Sequence, residues 1–469
     1  MSQAVVELPE TTMPDALTRR VAAWIAGLRH EDLPETTRRA VRLAVLDTLG
    51  AGLAGIDRPW PVKVREWAGR AVAAEGAGRA TVWGEAEARL RPADAALVNA
   101  VAAHAFELDD FHAKLHPGAV VLPAALALAE ANDVLGTVLE TAVAVGYEIM
   151  IRTSLALDPN EARLRGWHLT GVCGPLGAAA AGIVILGLDA EEAAWALGLA
   201  GTQGAGLFCF NADGAMSKRM HPGFAASSGV AAAELAGLGI TGPTALFEAD
   251  DGSYLRAFSD VIHPEQLIDG LGARYHLEET SFKPYACCGS LHAYVDAALA
   301  LRQRLGGPPA EGQRVRAGLC KVVEVQCGFD YAPGTELNAQ MNARYCIAAA
   351  LAEGGVLPPQ FAAAKMADPE IVALAERIEL VHDPELDGIY PTHYVGWVEI
   401  EQADGGFDRV HIPDPSGSVA NPEREAALRA KFAMLMSDRL GPDGVAAVSA
   451  ATEDLADTAP RRLVAMLAG

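Results

Sequence analysis

Cysteine is scarce in this chain, and its arrangement is uninformative for cross-links. The seven residues (Cys173, Cys209, Cys287, Cys288, Cys320, Cys327 and Cys346) are odd in number and form no C-x-x-C. Neither a disulfide framework nor a zinc ribbon is expected, and a reducing cytoplasm is the natural compartment. Aromatic residues supply only 6% of a chain that is 51% hydrophobic. Ala and Gly fill the gap, which points to closely packed helices rather than an aromatic-rich sheet sandwich. Basic residues are outnumbered, 37 against 60 acidic, for a net charge of −23. That balance argues against nucleic acid or an anionic membrane as partner, so an anionic ligand must find a local basic pocket. Long apolar runs are missing too. The segment GVCGPLGAAAAGIVIL, residues 171–186, falls short of the ~18–20 residues of a membrane span and reads as a buried helix. The N-terminal MSQAVVELPETTMPD lacks a basic start and an apolar core, so no signal peptide is expected. Walker A, G-x-S-x-G and H-E-x-x-H do not occur, and the G-x-G-x-x-G match at 237–242 follows a helical pattern instead of a strand. Nucleotide cofactors, serine hydrolysis and zincin chemistry lose support, and the expectation is no cofactor and no catalytic metal.

What is present is helix after helix. Apolar residues recur at three- and four-residue spacing over 15–27, 34–52, 60–74, 92–105, 120–131, 141–155 and 171–187, the pattern of a bundle. Asp189, followed by Glu191 and Glu192, is placed to cap the next helix. The texture changes after residue 271. The stretch 315–330 contains KVVEVQ, and 394–401 reads YVGWVEIE before the turn Ala403-Asp404-Gly405-Gly406. Both alternate as strands do, with helical patterns over 344–353 and 358–367 between them. The tail returns to helix over 422–435, 444–451 and 454–467. With 469 residues the chain is long enough for two units. The expected fold is therefore mainly α: a large all-helical domain formed from both chain ends, residues 1–270 and 411–469, plus a smaller α+β unit with a small antiparallel sheet, residues 271–410.

Polar residues concentrate in four places. HAFELDDFHAKLHPG, residues 104–118, gathers three histidines, three carboxylates and a lysine by His116. His112 and His116 stand four apart, as two metal ligands on one helix would, but Pro117 pushes the residue before it out of helical geometry. An active-site loop is the preferred reading over a metal site or a solvated capping loop. GAMSKRMHPG, residues 214–223, puts Lys218, Arg219 and His221 in a loop pinned by Gly and Pro. Lys218 there suits a substrate carboxylate and the charge that develops on it. His168, in GWHLTG, opens an apolar helix, and on spacing alone a capping or core histidine is the better reading than a catalytic one. Lastly, Cys287 and Cys288 sit between Lys283 and His292 in SFKPYACCGSLH, where packing is a better reading than thiol catalysis.

These segments in this order resemble the MmgE/PrpD family. Further matches are LAVLDTLGAGLAG at 43–55, VNAVAAHAFELDD at 98–110, KPYACCGSLHA at 283–293 and ARYCIAAAL at 343–351. The resemblance implies a helical domain from both chain ends, a smaller α+β lid, a homodimer and an active site between the two domains. It carries over His116, His168, Lys218, His292 and Tyr345 as catalytic residues, with Glu107, Asp110, Lys283 and His221 as expected substrate contacts. Where family members often read D-F-D-D-T, this chain has Glu107-Leu108-Asp109-Asp110-Phe111.

The implied chemistry makes or breaks a bond at a carbon beside a carboxylate, through a carbanion or enolate-like state that needs cations more than a cofactor. The expected reaction is dehydration of a di- or tricarboxylic acid: His116 or His168 takes the α-proton, Lys218 and Lys283 hold carboxylates, and His292 or Tyr345 protonates the leaving group. Decarboxylation and epimerisation are the alternatives within the family. A metal-dependent hydrolase built on His112 and His116, and a non-catalytic metabolite-binding protein, are the rivals outside it.

Overall fold

The computed structural model describes residues 16–75, 78–85, 87–390 and 392–468. Asp15, the expected start of the first helix, and the N-terminal segment before it lie outside the described residues. The N-terminal helices are Leu17–Gly27, Glu35–Gly55, Pro59–Glu75, Pro92–Ala103, Gly118–Asn132, Gly136–Ala156, Leu169–Leu186, Ala190–Gly201 and Ser217–Gly237, with the short Pro159–Leu164 among them. Asp189 caps its helix as expected, its carboxylate accepting the Glu191 and Glu192 N–H groups at 2.9 Å.

Small residues explain the low aromatic content. A Cβ added to Gly146 would stand 2.9 Å from the Gly177 carbonyl, and one on Gly229 would lie 2.4 Å from the Ala178 Cβ. Gly136–Ala156, Leu169–Leu186 and Ser217–Gly237 therefore meet almost backbone to backbone, and larger side chains have no room there. Leu169–Leu186 reaches 18 residues at a mean hydropathy of 1.9, enough by length and composition for a membrane span, yet 89% of it is buried by these neighbours. Pro175 inside it lacks the N–H that would bond Gly171, and the freed Gly171 carbonyl accepts from Ala205 instead, at 3.3 Å. That bond, with His168 N–H to the Gly206 carbonyl at 3.0 Å, ties the glycine-rich turn to the start of the helix.

The C-terminal helix Arg424–Glu453 returns to this bundle, and Phe432 packs on Gly50 where a Cβ would come within 2.9 Å of its ring. The expected pieces 422–435 and 444–451 fall on two helical segments that run end to end, separated by the non-helical backbone of Gly441 (φ 65°) before Pro442. The first hydrophobic core continues through Tyr275, Leu277 and Phe282. The second takes Ala51, Leu108 and Phe210 from the N-terminal part and otherwise runs from Ala286 through the sheet to Val410.

That sheet has four strands in the order Ile378–His382, Val315–Leu319, Gly396–Glu401, Phe407–Ile412. It is mixed, not antiparallel as expected: Val315–Leu319 pairs in parallel with Ile378–His382, because helices connect the two and a crossover returns the chain in the same direction. The Gly396–Glu401 strand and the turn after it stand where the alternation and glycines put them. KVVEVQ is a correction, since Lys321–Cys327 is a helix. Its buried residues Val323, Gln326 and Cys327 follow a helical spacing, and both edges of the preceding strand are already paired. The stretch 358–367 is likewise not one helix but a 3₁₀ turn, Pro358–Phe361, and a short helix, Ala363–Met366, broken at the extended Ala362.

Candidate active site

The acidic loop leaves Pro92–Ala103 and enters Gly118–Asn132 in an unusual conformation. Glu107 (φ 57°), Ala113 (φ 45°) and Lys114 (φ 62°) all occupy the left-handed region without being glycine. Such strain persists only where surroundings impose it, and it clusters at functional sites. Ala113 and Lys114 form a two-residue turn, with His112 and Leu115 exchanging backbone hydrogen bonds at 2.9 and 3.1 Å. Phe111 and Ser281 exchange a second pair at 2.9 and 3.0 Å, fastening the loop to the segment that leads to Lys283. His112 and His116 thus share no helical face, as Pro117 implied.

Glu107 is the hub. Its Oε1 accepts from both Lys218 and Arg219, and its Oε2 from Lys283 Nζ at 3.2 Å. All four residues are buried. Burial pushes the Glu107 carboxyl up, but Lys218, Lys283 and Arg219 together pull it well below the usual range. Burial in turn lowers the Lys218 ammonium to about 8, Glu107 offsetting part of the effect. Arg219 spends its remaining donors on the His104 carbonyl at 3.1 Å and Gln340 Oε1 at 2.6 Å.

Three imidazoles adjoin this cluster. His104 Nδ1 bonds Asp109 at 2.7 Å, so its Nε2 lone pair faces Lys218 Nζ, 3.3 Å away. His116 Nδ1 lies 2.8 Å from the Asp110 carbonyl, which can only accept; Nδ1 carries the proton and Nε2 is left as the basic nitrogen. His168 Nδ1 meets His221 Nδ1 at 2.9 Å. Burial holds His116 and His168 well below the usual imidazole range, helped by Lys283 at His116 and by His221 at His168, so both rings are neutral at pH 7. Nitrogens of His104, His116 and His168 lie within 4.8 Å of one another. A metal there would compete with the Lys218 ammonium for His104, so the donor set favours acid–base work over metal ligation.

A narrow cavity open to solvent brings these groups within reach of a ligand. Glu107, His116, His168 and Lys218 line it, with Lys114, Arg163, Ser290, Tyr390 and Tyr394 elsewhere on its wall. His221 backs onto it through His168, and Lys283 through Glu107. Asp110 turns away and bonds Tyr147 Oη at 2.6 Å and the Gly118 N–H at 2.9 Å. His292 and Tyr345 are not among the lining residues. His292 is buried between Phe111 and Tyr285, with its Nδ1 unpartnered. Tyr345 packs on Tyr331 in the second core and donates to the Gln360 carbonyl. Cys288, read as packing, does line the cavity, and a hydrogen bond from Cys327 pulls its thiol down to about 6.

Sequence reading passed over four residues here. His104 and Arg219 lie within the polar clusters, but nothing local marked them as partners of Asp109 and Glu107. Arg163 stacks on Phe208, its guanidinium carbon 3.3 Å from the ring centroid, with no carboxylate partner among the described residues. Lys431 reaches from the C-terminal helix to Asp47 at 2.5 Å and to the Leu108 and Lys283 carbonyls at 2.7 and 2.9 Å.

Residues 19–265 match the MmgE/PrpD N-terminal domain and residues 285–457 the MmgE/PrpD C-terminal domain. The chain belongs to the MmgE/PrpD family. It is 30% identical to the cis-aconitate decarboxylase-like protein oryM of Aspergillus oryzae, over 91% of this chain and 92% of that one. It is 29% identical to cis-aconitate decarboxylase of Aspergillus terreus, over 87% of each, and 29% identical to that of Mus musculus, over 95% of this chain and 92% of that one.

Proposed function

We propose that this chain is a cofactor-independent lyase that breaks a bond beside a carboxylate of a di- or tricarboxylic acid, and that the bond is the one to a departing CO₂. The observation that carries the reading is Glu107 sharing Lys218, Arg219 and Lys283 at the wall of the cavity. Three cations against Glu107 and Asp109 leave a net positive site in an acidic protein, and Arg163, with no carboxylate partner among the described residues, adds a cation for a further carboxylate. When the C–C bond breaks, its electron pair stays on the substrate, delocalised toward a carboxylate that these cations hold. Lys218, protonated at pH 7 but acidic for an ammonium, returns a proton to carbon and is reprotonated from solvent. The names of the relatives support decarboxylation over dehydration. Dehydration stands as the second reading because the His116 tautomer directs a basic nitrogen away from the Asp110 carbonyl, as α-proton abstraction requires. The same proposal puts the enzyme in a reducing cytoplasm, supported by seven unpaired cysteines, as a homodimer that light scattering would check.

The test is to incubate the protein with an unsaturated tricarboxylate, cis-aconitate, and a hydroxy one, citrate, in D₂O. CO₂ release and proton spectra are followed together. The expected result is CO₂ from the unsaturated acid, one deuterium on a carbon of the allylic system left behind, and a rate lowered roughly 10²-fold or more by Lys218→Met. Water loss without CO₂ would move the assignment to dehydration. CO₂ release untouched by Lys218→Met would remove Lys218 from the chemistry.

A further inference from the structure

A second histidine cluster lies on the opposite side of the same loop, and the reaction makes no use of it. His112 turns away from His116 toward the 3₁₀ turn His276–Glu279. Its Nε2 stands 3.9 Å from Glu279 Oε2, and His276 Nδ1 stands 3.6 Å from the same oxygen. All three atoms lie within 4.8 Å of one another. Both imidazole nitrogens are buried, His276 being only 5% exposed, and neither has a partner closer than these long contacts to Glu279. Leaving such a group unsatisfied costs about 1–3 kcal/mol, so an arrangement with two of them aimed at one carboxylate oxygen calls for a ligand.

We infer that His112 Nε2, His276 Nδ1 and Glu279 Oε2 form a site for a zinc-class divalent cation, separate from the catalytic cavity, which fastens the acidic loop to the segment leading to Lys283.

Tetrahedral zinc with bonds of about 2.1 Å needs its ligand atoms about 3.4 Å apart. The observed separations, 3.9 and 3.6 Å to Glu279 and within 4.8 Å for the set, are wider, so binding requires Glu279 to rotate and the two imidazoles to move toward each other. Its other oxygen, Oε1, accepts from Arg274 at 2.7 Å, so the carboxylate is already oriented with Oε2 toward the histidines. The turn beneath is firmly held: Arg152, buried and paired with Glu148, donates to the Gln266, Asp269 and Arg274 carbonyls. Two imidazoles and one carboxylate select zinc, cobalt or nickel over magnesium or calcium, which prefer all-oxygen sets. Glu279, its side chain 39% exposed, opens the site to solvent for a fourth, water ligand.

The test uses the full-length protein stripped with a chelator, then titrated with Co²⁺ and displaced with Zn²⁺. The wild type is expected to take up one equivalent with the visible bands of a tetrahedral site, and zinc is expected to raise its Tm. Glu279→Gln and His112→Gln, both at the rim, should each weaken binding at least about tenfold, and His276→Gln should do the same if it folds. His116→Gln should leave uptake unchanged, which separates this site from the histidines of the cavity. Absence of uptake by the wild type, wild-type affinity in both rim variants, or loss of uptake in His116→Gln would each overturn the inference.

Discussion

Asp109 and Asp110 are neighbours in sequence, both fully buried, and the fold drives them in opposite directions. Asp109 faces His104, Lys283 and His116. Burial pushes it up, but those partners hold it well below the ordinary carboxylate range. Asp110 points to the other side of the extended loop, toward Asp47, Tyr147 and the Gly118 N–H, and burial reinforced by the nearby Asp47 raises it to about 8. At pH 7 one is an anion and the other a neutral acid. The face turned to the cavity is built from balanced charges that a substrate can disturb. The face turned to the core is built from a proton, a phenol and a single ion pair that hold the loop in place.

The largest effect on this comparison should come from its inner face. Lys431→Met strands Asp47 as a buried charge and frees the Leu108 and Lys283 carbonyls. A loss of about 3–5 kcal/mol is expected in urea unfolding, with part of it recovered by adding Asp47→Asn. A double variant no more stable than Lys431→Met alone would show that Asp47 is not what the lysine compensates. Next comes the pair itself. Asp109→Asn removes the anion that orients His104 and should lower kcat/KM roughly 10-fold to 10²-fold. Asp110→Asn replaces a neutral acid by a neutral amide and should change it less than about threefold. Equal losses in both would erase the distinction between the faces.

The third effect is a pH dependence. A carboxyl whose folded pKa lies above its unfolded value contributes stability that is complete below the unfolded pKa and is lost as pH rises through the folded one. For Asp110 the window runs from its ordinary value of 3.8 to about 8. Unfolding measured across it should show the wild type losing stability relative to Asp110→Asn as pH rises. Parallel profiles would mean that Asp110 is ionised in the folded protein.

The cavity face was the more legible of the two in the sequence. His116 and His168 stand at Gly- or Pro-marked breaks between helices, where a helical scaffold presents polar groups, whereas Lys218, Arg219 and His221, expected in a loop, lie in the first turns of the helix Ser217–Gly237. The helices were legible because their apolar spacing agrees with their burial. KVVEVQ misled because alternation over six residues fits a short helix equally well once the neighbouring strand is paired on both sides. The inner face left little trace: Lys431 belongs to an ordinary-looking helix at the far end of the chain, and only the tertiary fold carries it to Leu108. Tyr345 and His292 came from resemblance, and neither lines the cavity: His292 lies behind Phe111, and Tyr345 packs on Tyr331 and Phe361 in the second core. The His112 and His276 pairing joins segments with no local signal in common, so spacing along the chain could not find it.

The smallest expected effect tests the hinge between the two faces. Ala113 holds φ 45° although its Cβ disfavours that conformation, and its carbonyl accepts from Ser154 Oγ at 2.7 Å. The left-handed conformation costs an alanine about 1–2 kcal/mol, and glycine avoids that cost while losing about 0.5–1 kcal/mol of backbone entropy on folding. Ala113→Gly should therefore stabilise the protein by about 0–1.5 kcal/mol in urea unfolding. If the turn serves to present Lys114 and His116 to the cavity rigidly, the same glycine should lower kcat/KM a few-fold even as stability rises. A variant that loses stability would mean that the methyl group, 7% exposed and packed in the first core, matters more than the backbone it strains. A variant that gains stability with unchanged turnover would leave the strained turn as a device for joining the faces and nothing more.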